Sequence, residues 1–165
     1  MMIRSFSTLI ATAALVGLST LAQAQTPPAP PQYGANVSHE MARKAIAGAV
    51  ANAKTQNLPM AIAVVDTAGL LVAFERMDNT QYGSVAVSQD KAASAALYRR
   101  PTKVFQDVLA AGGAGLRVLT LRGANAVEGG IPLVMDGKIV GAIGVSGGSA
   151  EQDGVVARAG QDAMK

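Results

Sequence analysis

Between Glu128 and Gly148 the chain reads EGGIPLVMDGKIVGAIGVSGG, which places seven of its 18 glycines in one short stretch. Asp136-Gly137 separates two apolar runs, Ile131–Met135 and Lys138–Val145, and an Asp-Gly pair in that setting predicts a two-residue β-hairpin. Ser149, followed three residues later by Gln152, has the pattern of a capping box and predicts a helix immediately after the second strand. This strand–turn–helix frame contains Gly144-Val145-Ser146-Gly147-Gly148, a literal G-x-S-x-G, the spacing of a nucleophile elbow.

Elbow hydrolases need a histidine that accepts the serine proton and that follows the serine in chain order. The sequence has one histidine, His39, and it precedes every predicted strand. The hydrolase reading of Ser146 is therefore rejected, and the glycines are assigned to backbone turns. Ser146–Ser149 as an anion cradle at a helix N-terminus is the other chemical reading. It has neither the lysine of a P-loop nor the glycine spacing of a dinucleotide fold.

Upstream, Arg4, the uncharged run Leu9–Leu18 and Ala22-Gln23-Ala24 form the three parts of an export signal, residues 1–24. The ten-residue apolar run is about half of the roughly 20 residues a spanning helix needs, so no integral membrane segment is expected after cleavage. A periplasmic or secreted location follows. With no cysteine, disulfides, thiolate chemistry and cysteine-based metal sites are excluded. Removing residues 1–24 takes only Arg4 from 14 Lys and Arg against 11 Asp and Glu, leaving a nearly neutral chain with scattered bases and few aromatics. Nucleic-acid binding has no support in that composition.

Residues 25–36 hold four prolines and no charge and predict an extended tether before a single domain, residues 37–165. Ser38 is the predicted N-cap of a helix reaching Gln56, with Ala42, Ile46, Ala49, Val50 and Ala53 on its apolar side. Met60–Asp66 and Leu70–Met77 form a second hairpin. Ser84 is the predicted cap of a helix ending at Tyr98, Pro101 stops it, and Thr102 caps a shorter helix to Ala111. Leu116–Leu121 suits a short helix or a strand. The final helix is expected to bury Val155, Val156, Ala159 and Ala163. The order implies an α/β layer around a mainly antiparallel sheet of about five strands. Six aromatic residues and no tryptophan leave the core short of large side chains, which favours an oligomer that buries more apolar surface.

Lys91, Tyr98, Arg99, Arg100 and Thr102 make the densest polar cluster. Lys91 and Tyr98 fall near one helix face, and the two arginines stand where the helix stops, where guanidiniums clamp carboxylates. Asp66, Glu75 and Asp78 sit at strand ends, but nothing pairs them with a nucleophile.

Three long segments, AIAVVDTAGLLVAFERMD, KAASAALYRRPT and EGGIPLVMDGKIVGAIGVSGGSAEQD, occur in an order that resembles the GlcG/HbpS (DUF336) haem-binding family, related to the PduO C-terminal domain. The resemblance spans residues 37–165. It implies a single α/β domain that assembles into dimers or larger rings up to octamers, and haem as the cofactor. For an exported member it implies haem capture, buffering or slow iron-dependent degradation. His39, Lys91, Tyr98, Arg99, Arg100 and Thr102 are then the candidate ligand-binding residues, with His39 or Tyr98 on the iron and Arg99 and Arg100 on the propionates. The alternative is an enzyme or accessory factor for a small hydroxy- or oxo-acid, held by the arginines and the helix start at Ser149.

Overall fold

A computed structural model describes residues 29–165. The predicted export signal and the start of the tether, residues 25–28, lie outside the described residues. Helix α1 (His39–Thr55) leads into strands β1 (Ala61–Val65) and β2 (Leu71–Arg76), and α2 (Gly83–Tyr98) and α3 (Thr102–Ala110) follow. A 3-10 helix (Gly113–Thr120) then precedes strands β3 (Gly130–Met135) and β4 (Lys138–Ser146), and α4 (Ala150–Asp162) closes the domain. No helix among the described residues is long and apolar enough to cross a membrane.

The strands form one antiparallel sheet in the order β2-β1-β4-β3. The sheet has four strands where about five were expected, because Leu116–Leu121 falls mostly in the 3-10 helix. Gly112 and Gly113, at φ 67° and 53°, turn the chain into that helix, and only Val118 of its side chains is buried.

Strand β1 is buried along its whole length because helices cover both of its faces. Ile62 and Val64 point into the larger core with Ile131, Leu133, Ile143 and Val145, under α1 and α4. Ala63 and Val65 point the other way and meet Ala92, Ala95 and Ala96 of α2 across Ala142. The alanines let α2 sit close to the sheet, and Gly144 is where the approach is closest: a Cβ there would run into the Ser88 carbonyl and the Ala92 amide.

Local signals in the sequence account for several junctions. Ser38 accepts a hydrogen bond from the Met41 amide at 3.2 Å, Ser149 and Gln152 complete the capping box, and Asp136 and Gly137 take φ 48° and 73° in the hairpin turn. Other junctions differ from expectation. Helix α2 starts at Gly83 without a side-chain cap, and Ser84 turns inward, accepting from Gln81 Nε2 at 3.0 Å. In α4 the buried positions are Asp153, Gly154, Val156, Ala157 and Gly160, whereas Val155 stays about half exposed.

The end of the tether is docked. Ile139 donates to the Gln32 carbonyl at 2.8 Å and Gly34 donates to the Ile139 carbonyl at 2.7 Å, so this segment lies beside β4 past the end of β1. Tyr33 then donates its hydroxyl to the Ala96 and Leu97 carbonyls at the C-terminal end of α2.

Candidate functional site

The structure divides the predicted site residues into three places. His39 opens α1, while Lys91, Tyr98 and Arg99 belong to α2 or its C-cap; those two helices pack on opposite faces of the sheet. One chain therefore does not form a shared surface between them. The link between the two sides is the segment 33–38.

His39 is exposed, and none of the side-chain hydrogen bonds among the described residues involves it. Beside it runs a groove of about 430 Å³ whose walls include Val37, Ser38, Met41, Met135, Lys138 and Val140. Arg99 approaches the same segment from the other side. Its φ of 53° ends α2 in the left-handed conformation and sets its guanidinium 5.6 Å from the centre of the Tyr33 ring, the residue before the groove's Gly34.

Tyr98, Arg100 and Thr102 form the second place. Tyr98 donates to the Arg122 carbonyl at 2.7 Å and meets Phe105 edge to face at 5.1 Å. Arg100 donates from Nε to the Tyr98 carbonyl at 3.1 Å and lies 5.7 Å from the Phe105 ring centre. Thr102 is fully buried and is the first residue of α3, with Pro101 in the cap position, so the predicted capping role is not what its hydroxyl does. It donates to the Val127 carbonyl at 2.7 Å and accepts from the Gly130 amide at 3.0 Å, pinning the loop that enters β3. Thr102→Val should cost about 1–3 kcal/mol in urea unfolding, the penalty for stranding a buried amide and carbonyl.

Lys91 is the third place. Its ammonium, 1% exposed, is 2.6 Å from Asp153 Oδ2 and donates to the Val145 carbonyl at 3.1 Å, while Asp153 Oδ1 accepts from the Gly148 amide at 2.9 Å. The pair ties α2 to the β4–α4 turn, committing Lys91 to the interior. Burial pushes the Asp153 carboxyl above its ordinary value of 3.8, outweighing the opposing hydrogen bonds from Lys91 and Gly148. The folded state then holds this proton more tightly than the unfolded state, so the group's contribution falls as pH rises from about 3.8 through the raised value and is flat above it. The stability advantage of the wild type over Asp153→Asn should shrink across that window in urea titrations. An advantage growing with pH would contradict this assignment.

The hydrolase and anion readings of the β4–α4 turn end here. Ser146 is buried and its hydroxyl bonds that of Ser84 at 3.2 Å, with no imidazole partner. The start of α4 is satisfied from within: Gln152 Oε1 accepts from the Ser149 amide at 2.8 Å, and Ser149 Oγ accepts from the Gln152 amide at 3.3 Å. Asp66 closes the β1–β2 turn by accepting from the Ala68 and Leu70 amides, both at 2.9 Å. Glu75 and Asp78 line an open cavity of about 610 Å³ with Lys54 and Arg76 and have no nucleophile beside them.

Sequence reasoning passed over Asp153 and weighed neither Glu128 nor Arg158. Asp153 shares the inner face of α4 with Val156, Ala157 and Gly160, and a charge within that stripe was its signal. Glu128, buried just ahead of β3, stands alone before an apolar run.

Residues 37–162 match the model of a family described as haem degrading protein HbpS-like. The chain belongs to the HbpS-like family. GlcG of Escherichia coli strain K12 is 40% identical over 110 residues, covering 67% of this chain and 81% of GlcG. A double mutant of Streptomyces reticuli HbpS superposes on this HbpS-like domain with a TM-score of 0.72 at 28% identity, over 84% of this chain and 97% of that one. A PduOC structure solved as a haem complex has a TM-score of 0.70 at 27% identity, over 78% and 94% of the two chains.

Proposed function

We propose that this HbpS-like protein binds haem, with His39 as the iron ligand and the groove along 34–38 and β4 as the seat of the macrocycle. The observation that carries the reading is an exposed imidazole without a competing hydrogen bond, beside an apolar groove, on a fold whose relative PduOC was solved with haem. The donor set suits the group. Neutral imidazole is a good iron ligand, Met41, Met135 and Val140 offer apolar contact, and Lys138 offers a cation to a propionate. Bound haem would supply redox-active iron, and this chain's part is to hold it and limit its exposure.

Residues 1–24 would export the protein, so capture or buffering of haem in the periplasm or outside the cell is the role proposed, with slow iron-dependent degradation as a consequence of binding. An open groove covers one face of a macrocycle, so a homo-oligomer, from a dimer up to an octamer, would cover the other. Haemin titrated into the purified protein should give a saturable Soret shift; a linear, unsaturable response would end the proposal. The hydroxy- or oxo-acid alternative has no paired arginine clamp within one chain, because Arg99 turns to Tyr33 and Arg100 to Phe105, and the Ser149 and Gln152 amides at the start of α4 are already bonded. Calorimetry with such acids is expected to be silent.

A further inference from the structure

We propose that residues 32–37 are a strap that completes the groove beside His39, and that Tyr33 is the latch that sets how firmly a ligand is held there. The inference rests on the haem reading for the identity of that ligand. Gly34 to Ser38 line the groove, so part of its wall is the strap itself. Three backbone hydrogen bonds join the strap to β4: Ile139 donates to the Gln32 carbonyl at 2.8 Å, and Gly34 and Val37 donate to the Ile139 and Val140 carbonyls, both at 2.7 Å. Of residues 32–37 only Val37 is buried.

A segment with so little buried surface opens locally at low cost, and the bonds that pin it set that cost. Two side chains pin it to different parts of the domain. Tyr33 donates its hydroxyl to the Ala96 and Leu97 carbonyls at 2.8 and 3.1 Å, in the last turn of α2, where helical partners run out. The Arg99 guanidinium, 5.6 Å from the Tyr33 ring centre, adds a cation–π contact. Asn36 Oδ1 accepts from the Thr67 amide at 3.3 Å and from the Thr67 hydroxyl at 2.6 Å, in the β1–β2 turn. Tyr33 and Thr67 stand outside the groove's lining, so both act on a ligand through the wall.

A wall that is in place for only part of the time lowers the apparent affinity in proportion to the closed fraction. Linkage makes the effect reciprocal, so a ligand that touches the closed wall holds the strap shut. Occupancy of the groove is thereby felt at Tyr33 and at the C-terminal end of α2. The iron ligand is coupled to the same element: Ser38, the N-cap of α1, and His39 continue directly from the strap, so wall and imidazole are placed together.

Hydrogen exchange of the haem-free protein reads the latch, and haemin titration reads its effect on the groove. Tyr33→Phe keeps the ring beside Arg99 and loses one donor, so the Gly34, Val37 and Ile139 amides should exchange about fivefold faster, with those of β1 unchanged. Tyr33→Ala combined with Thr67→Val loosens both pins and should weaken haemin binding by about tenfold or more. The saturated Soret spectrum of that variant should stay that of the wild type, because His39 is intact. Haemin loading of the wild type should slow the same three amides. Unchanged exchange in Tyr33→Phe, or undiminished haemin affinity in the double variant, would overturn the proposal. Faster exchange in Tyr33→Phe beside a wild type that gives no saturable Soret shift would support the latch and count against haem as the ligand.

Discussion

Asp153→Ala is expected to lower the unfolding free energy by about 3–5 kcal/mol, seen as a large fall in the urea midpoint at neutral pH. The substitution leaves the Lys91 ammonium, 1% exposed, with the Val145 carbonyl but no counter-charge, and removes the acceptor of the Gly148 amide. The cost comes from stranding a buried charge, not from the intrinsic strength of the pair. Replacing both partners by apolar side chains, Lys91→Met with Asp153→Leu, should therefore recover most of the loss. A single-variant penalty below about 1 kcal/mol would show that water reaches the pair and that it does not fasten α2 to α4.

Gly144→Ala is expected to destabilise by about 1–3 kcal/mol or more, from the overpacking of one methyl group. Strand β4 passes directly under α2 at this position, and the new Cβ would meet the Ser88 carbonyl and the Ala92 amide, backbone that no rotamer change can move. Gly83→Ala makes the contrast. A Cβ there meets nothing within 4 Å and the residue has no positive φ, so the variant should be neutral or gain about 0.4–1 kcal/mol. Thermal unfolding of the two variants side by side would separate close approach from a general intolerance of β-carbons. The first glycine of the G-x-S-x-G pattern thus serves helix–sheet packing, and its serine bonds Ser84.

Features set by neighbouring residues were legible in the chain. The Asp136-Gly137 turn, the Ser38 cap and the Ser149–Gln152 box all rest on bonds spanning a few residues, and they appear where the pattern put them. Features that depend on distant partners were not. Lys91 and Asp153 are 62 residues apart in sequence, and nothing near Lys91 says that its ammonium turns inward. Thr102 looked like a cap because a hydroxyl opening a helix usually is one. Its hydroxyl is instead claimed by Val127 and Gly130, 25 and 28 residues on. The proline-rich segment gave no local sign that Gln32–Gly34 would pair beside β4, since Ile139 is over 100 residues away. Among the candidate ligand residues, sequence proximity grouped Tyr98, Arg99 and Arg100, but the left-handed turn at Arg99 sends its guanidinium to Tyr33 while Tyr98 and Arg100 stay together on Phe105.

That separation gives the haem proposal its most direct test, an absorption spectrum of haemin-loaded protein compared among the wild type, His39→Ala and Tyr98→Phe. His39 is exposed at the start of α1, and Tyr98 is held by Phe105 and the Arg122 carbonyl on the other side of the sheet. The expected result is a saturable Soret shift in the wild type, retained by Tyr98→Phe and lost or changed in its ligand bands by His39→Ala. An unaltered spectrum in His39→Ala would contradict the account.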